Sequence, residues 1–302
     1  MKEVRSLNFN YEIPDQIKFE STADGLVLIT IENQFSKASF SLQGGHLLSW
    51  QPKGQADVIW MSDEAVFAEA CSIRGGTPIC WPWFGAHPTE NNFPAHGFAR
   101  TNNWEVIETK SLSNGETYLL IRLLQEDINV EHKVKGAVLE LEIRVGEQLN
   151  MAMLTANTSE QTITIGGAFH TYFRISDIEN VIIQGFEGNT FIDTLDNWVE
   201  KTEADPIRIN AEIDRIYFDS PDKDCLIVDT GLKRKIRISK QGSHSSVVWN
   251  PWIDKSIALG DMGVNGYRKM LCVESTNAAT DIIEIVPGGE HRMSVCYQLE
   301  SL

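Results

Sequence analysis

Two side chains in this sequence are suited to moving protons. His170 follows a β-type run and paired glycines in GGAFHTYFRI (166–175), and Glu274 interrupts an apolar run in MLCVESTNA (270–278). An imidazole, with an ordinary pKa of about 6.5, gives and takes protons near neutrality. A carboxyl at the end of a buried strand is desolvated, which raises its pKa toward the range useful to a general base. Each also has a plainer reading: a structural histidine, and a strand-end carboxylate held in a salt bridge. Asp214, in EIDRIYF (212–218), is similar to Glu274, although Arg215 beside it offers a local partner. Asp214 with Glu274 could equally be the two carboxylates of a glycoside hydrolase, because spacing along the chain does not give their separation in space.

A second group lies in RGGTPICWPWFGAHPTENNFPAHGFAR (74–100). Prolines 78, 82, 88 and 94 forbid a regular helix, while Gly75, Gly76 and Gly85 permit tight or left-handed turns, so the stretch reads as a loop held in one shape. Trp81, Trp83 and Phe84 offer flat faces that suit sugar C–H faces as well as plain packing. Arg74 and Arg100 bracket the loop, with His96 four residues before Arg100. Two guanidiniums near one rigid loop could clamp a phosphate or carboxylate, against the plainer reading of surface or ion-paired arginines. His96 and His170 are also candidate metal ligands, but no HxH, HExxH or clustered Asp/His pattern completes a site, so no metal is expected. GxSxG, GxxxxGK[ST] and a GxGxxG after a strand are missing, which sets aside nucleophilic-serine and nucleotide-loop chemistry.

Elements must hold these residues in place, and the chain supplies strands. LVLITIE (26–32), ASFSLQ (38–43), WEVIET (104–109), TYLLIRLL (117–124), AVLELEIRV (137–145), LNMAMLTAN (149–157), TITIGG (162–167), VIIQGF (181–186), CLIVDT (225–230), KIRIS (235–239), SVVWN (246–250), MLCVES (270–275), DIIEIV (281–286) and RMSVCYQLE (292–300) all carry β-branched or alternating character. Helical periodicity is scarce; SDEAVFAEA (62–70) is expected to give a turn or two of helix. Strands following strands across Gly, Asn and Asp turns predict mainly antiparallel sheets in a large all-β sandwich. One domain over residues 1–302 is expected, with two smaller β domains joined near 129–136 as the alternative.

At 302 residues, 42% hydrophobic and 23% charged, the chain has the material for a sizeable core. A formal net charge of −16 argues against nucleic acid and anionic membranes as partners, so an anionic substrate must be met by a local arginine cluster. No apolar run resembles a signal peptide or membrane span, and a cytoplasmic protein, monomer or weak oligomer, is expected. Cys71, Cys80, Cys225, Cys272 and Cys296 are scattered without CxxC spacing and read as reduced, mostly buried thiols.

Taken together, IRGGTPICWPWFG (73–85), PAHGFAR (94–100) with Trp104, FHTYF (169–173), IDRIY (213–217), VVWNPW (247–252), GDMGVNGYRKMLCVESTNA (260–278) and PGGEHRMSVCYQL (287–299) resemble the hexose-6-phosphate mutarotases, or glucose-6-phosphate 1-epimerases, of the aldose 1-epimerase group. The pieces occur in family order over nearly the whole chain; the tail carries one glycine more than the simpler PGE, which touches local turn geometry alone. The resemblance implies a galactose-mutarotase-like β supersandwich and an isomerase that interconverts the α and β anomers of a hexose 6-phosphate without a cofactor. It also implies roles: His170 as general acid, Glu274 as general base, Arg74 and Arg100 as the phosphate pair, and His96 and Asp214 as contacts to sugar hydroxyls or the ring oxygen. Relatives acting on free sugars do not need a phosphate clamp, so the two arginines favour a phosphorylated substrate. An epimerase of unphosphorylated aldoses and a non-catalytic sugar-phosphate binder are the alternatives.

Overall fold

The computed structural model describes residues 2–124, 134–218 and 223–302; most of the proposed 129–136 joint lies outside them. Two eight-stranded sheets dominate. One runs Val181–Gln184, Cys225–Asp229, Arg234–Gln241, Glu290–Ser301, Leu149–Asn157, Ala137–Val145, Thr117–Leu123, Trp104–Ser111. The other, which carries the site, runs Val199–Thr202, Thr190–Asp193, Ile213–Phe218, Ser245–Asn250, Met270–Asn277, Gly167–Phe169, Ile79–Cys80, with Tyr172–Arg174 also paired to Met270–Asn277. Ile17–Ser21, Val27–Glu32, Ser36–Ser41 and His46–Pro52 form a four-stranded sheet. All pairings between these strands are antiparallel, so the all-β, mainly antiparallel expectation is met.

Alternation along the strands decides what each sheet face does. In Ala137–Val145 the apolar Leu139, Leu141, Ile143 and Val145 are fully buried, while the intervening residues reach the wet face. In the site sheet, Phe169, Phe173, Tyr217, Val248, Leu271 and Val273 enter the main core together with those side chains. Each such side chain contributes roughly 1.5–3 kcal/mol of burial. The opposite parity of the same strands is left for other use.

Several elements differ from the sequence expectation. TITIGG splits at Gly166, whose N–H donates to the Pro82 carbonyl at 2.8 Å: Ile163–Ile165 pairs with Ile283–Ile285, and Gly167–Phe169 crosses into the site sheet. Residues 62–70 form turns rather than helix. Gln43 accepts from the Ala70 N–H and donates to the Ala68 and Cys71 carbonyls, and Ser62 Oγ donates to the Asp261 carbonyl. These side-chain bonds displace a helical ladder. Helix forms instead at Lys2–Tyr11, where Val4, Leu7 and Tyr11 face the core at helical spacing, and at Trp252–Leu259, which ends on left-handed Gly260. All five cysteines are free thiols; Cys80, Cys225 and Cys272 are buried, whereas Cys71 is exposed. Among the described residues no helix is long and apolar enough to cross a membrane.

Candidate active site

The second face of the site sheet is built two residues at a time. Asp214 pairs with Trp249, Trp249 with Cys272, and Cys272 with Tyr172. One pleat further along, Ile216 pairs with Val247 and Val247 with Glu274. Residues directly opposite one another share a face, as do i and i+2, so this face presents Asp214, Ile216, Val247, Trp249, Glu274, His170 and Tyr172 to one cavity of about 840 Å³, with Cys272 buried beneath them. Arg74, His96 and Arg100 line it too. All six residues singled out for chemistry therefore meet in one place.

His170 sits in the break between Gly167–Phe169 and Tyr172–Arg174, its N–H donating to the Pro78 carbonyl at 3.1 Å. Its Nδ1 lies 3.3 Å from Glu274 Oε1, and the Glu274 side chain is 1% exposed. The two atoms are close without hydrogen-bond alignment, and His170 Nδ1 and Glu274 Oε2 lack any hydrogen-bond partner. Unsatisfied buried polar atoms are rare, and here two of them belong to residues that line the cavity. Burial, helped by the Asp214 charge and opposed by Arg100, pushes the Glu274 carboxyl well above the usual carboxylate range. Burial also holds the His170 imidazole well below its ordinary value, and the charges of His96, Arg100 and Arg74 push the same way. The protein's own field thus favours the neutral form of each group. Asp214 is raised by burial, opposed by the Thr194 hydroxyl.

The loop half is fixed by backbone approaches that exclude a Cβ. Gly76, at φ +70°, would place one 2.3 Å from His46 Nε2 and the Leu47 carbonyl, and Gly97, also at +70°, 2.0 Å from the Trp81 carbonyl. His46 is fully buried, its pKa lowered by desolvation to about 4, and its Nε2–H donates to the Gly75 carbonyl at 2.8 Å. Arg74 is held from two sides: Nε donates to Asp261 Oδ1 and an Nη to Tyr172 Oη, each at 2.9 Å. Burial works against its charge, but Tyr172 and Asp261 outweigh that and keep it protonated. Arg100 lies on the short 3-10 turn Ala99–Thr101 and donates to the Ala95 carbonyl at 2.9 Å; among the described residues it makes no ion pair. His96 adopts φ +66°, and its Nδ1 accepts from the Gly85 N–H at 3.3 Å, which leaves Nε2 to carry the proton. Burial, then Arg100 and Arg74, lower its pKa to about 3.

Two of the three loop aromatics reach the cavity. Trp83 and Phe84 line it, with the Trp83 indole donating to the Pro94 carbonyl, whereas Trp81 is buried in the main core and its indole donates to Thr155 Oγ1. Tyr172, Trp249 and Trp198 also line the cavity. The i, i+2 step from His170 to Tyr172 was a usable signal; Trp198, in the turn after Thr190–Asp193, carried none. His170, Cys272 and Glu274 bring donor atoms within 4.8 Å of one another. Burial drives both the Cys272 thiol and the Glu274 carboxyl toward their neutral forms, which are poor ligands for a divalent ion.

An antiparallel sandwich with a buried histidine and glutamate close together on one sheet face, met by a glycine-shaped arginine loop, has the galactose-mutarotase architecture. A galactose mutarotase-like protein from Clostridium acetobutylicum shares the fold, with a TM-score of 0.69 at 11% identity over 95% of this chain and 98% of that one. The sequence pattern of the aldose 1-epimerase family matches residues 27–298, and the chain belongs to that family. An Escherichia coli (strain K12) protein named "Putative glucose-6-phosphate 1-epimerase" is 36% identical over 258 residues, 85% of each chain. The crystal structure of "a putative mutarotase (YeaD) from Salmonella typhimurium" superposes with a TM-score of 0.88 and 28% identity, covering 97% of this chain and 96% of that one.

Proposed function

We propose that this protein is an isomerase, a glucose-6-phosphate 1-epimerase that interconverts the α and β anomers of hexose 6-phosphates. The observation that carries the reading is the His170–Glu274 pair, 3.3 Å apart, opening on a cavity that two arginines also line. The names of the related bacterial proteins point the same way. Opening a hemiacetal ring requires that the anomeric O1–H give up a proton and that the ring oxygen O5 receive one. Glu274 takes the first as carboxylate and His170 gives the second as imidazolium. Rotation about C1–C2 and reclosure with the roles reversed complete the exchange. Arg74 and Arg100 bind the phosphate, and His96 Nε2–H and Asp214 contact sugar oxygens.

We infer one unit spanning 1–302 that works as a monomer or weak oligomer. A cytoplasmic location without nucleic-acid or membrane partners accords with the net charge of −16. The test is magnetization-exchange NMR on α- and β-glucose 6-phosphate beside free glucose. Acceleration of the phosphate ester well beyond that of glucose is expected; equal rates would transfer the reading to free aldoses, and no acceleration of any hexose phosphate would end it.

A further inference from the structure

Resting on the reading above, we propose that the phosphate takes part in the chemical step as well as in binding. A dianion held by Arg74 and Arg100 makes His170 a competent acid through Tyr172, so an oxyanion supplied separately activates turnover of a sugar that lacks one.

The connection is built in side chains. Arg74 donates to Tyr172 Oη at 2.9 Å, and the Tyr172 ring lies flat against the His170 imidazole, with centroids 5.0 Å apart and planes 5° from parallel. Trp60 stacks on the far side of Tyr172 at 5.9 Å, and Trp249 closes edge-on against both rings. Tyr172 is therefore a buried positioning residue whose hydroxyl reports on Arg74 and whose ring fixes His170. The ionizable groups facing His170 are Glu274 and Cys272 on the neighbouring strand, His96 with its ring 5.6 Å away, and the two arginines.

After burial and His96, both arginines disfavour the imidazolium of His170, and Arg100 favours the carboxylate of Glu274. A phosphate carrying up to two negative charges, set against the two guanidiniums, removes the arginines' part of the penalty on His170, to which Arg74 is joined by the hydroxyl and ring of Tyr172. A proton then leaves the Glu274 carboxyl and binds a His170 nitrogen: carboxylic acid plus imidazole become carboxylate plus imidazolium, with no change in total charge or oxidation state. That is the protonation state ring opening needs. Binding energy from a remote, unreacting group is thereby used at the reacting centre.

D-Xylose, an aldose without C6, and phosphite dianion divide the substrate into two pieces. Anomer exchange of xylose is measured by NMR with and without phosphite, after subtracting the protein-free rate at the same phosphite concentration. A saturable rise of at least about tenfold is expected. Tyr172→Phe, which keeps the ring and removes the hydroxyl, lowers the ratio of the two rates. In ¹⁵N-histidine spectra phosphite shifts the His170 resonances toward the imidazolium position. Xylose exchange unchanged or slowed by phosphite, in protein that turns over glucose 6-phosphate, overturns this inference and leaves the proposed function standing. Protein that fails on glucose 6-phosphate itself removes both.

Discussion

Glu274 and Arg100 line the same cavity, yet they are placed by opposite means. Glu274 sits mid-strand in the site sheet, buried, paired in register on one side with Val247, and set two residues from Cys272. Arg100 sits on a three-residue 3-10 turn and is steadied by one backbone carbonyl. The sheet half, His170, Asp214 and Glu274, gains low dielectric and fixed spacing from its neighbours, which suits groups whose pKa must be displaced. The loop half, Arg74, His96 and Arg100, gains its shape from glycines and prolines and brings two guanidiniums to the cavity, which suits capture of an anion. In the proposed mechanism, proton transfer and anion capture fall to different kinds of backbone.

Changes on the two sides separate them. Glu274→Gln is expected to lower anomer exchange of glucose 6-phosphate by about 10²–10⁴-fold. Its melting temperature should stay level or rise, since a buried carboxyl with an unpartnered oxygen is replaced by a neutral amide; calorimetry beside the exchange assay reads both. Gly97→Ala acts through the loop instead. A Cβ 2.0 Å from the Trp81 carbonyl, at positive φ, should destabilize by about 3 kcal/mol or more, seen as a lower urea midpoint. Arg74→Ala is expected to raise the KM for glucose 6-phosphate by about 10–100-fold, the loss of a charged hydrogen-bonding partner, with glucose changing far less. A steady-state comparison of the two sugars decides it.

A last effect is one of sign. His96 is depressed by burial and the arginines to about 3, so the unfolded chain binds its proton more readily, and stability is lost as pH falls from about 6.5 toward 3. Glu274 is raised by burial, so the folded chain holds the proton more firmly, and stability is lost as pH rises above about 4.5. Urea midpoints across pH should flatten on the acid side in His96→Gln and on the neutral side in Glu274→Gln. A matching slope in both variants would break the division between the halves.

The sheet half was legible because period-2 alternation exposes a polar residue in an apolar run, as with Glu274 in MLCVES, and strand boundaries at 137–145 and 149–157 are those the pattern predicts. Which strands adjoin was not legible: Asp214 meets Glu274 through Ser245–Asn250, a pairing set by long-range register that no local pattern encodes. The proton's place was not legible either. Ring opening called for a charged His170, while what holds it neutral is first its burial and then His96, Arg100 and Arg74, which lie about 70 to 96 residues away in sequence. Residues 62–70 misled because their helix formers lack an apolar stripe, and Gln43 and Ser62 supply competing bonds. Trp81 looked like a sugar platform, and is core instead, because the types that pack and the types that stack are the same.

Around the candidate pair the strands alternate: Val247, Trp249 and Glu274 go to the cavity, while Val248, Leu271 and Val273 go to the core. Inserting or deleting one residue in Met270–Asn277 would therefore exchange the two sets, turning Glu274 into the aliphatic interior and Leu271 or Val273 out toward the substrate. Such a lineage has little freedom to vary the lengths of these strands and must vary by substitution there. The stretch between Gly85 and His96, outside the ladder, can lengthen or shorten without disturbing the acid–base pair. New sugar preferences in this architecture should accordingly arise as length variation around 85–96 and as side-chain replacement everywhere else.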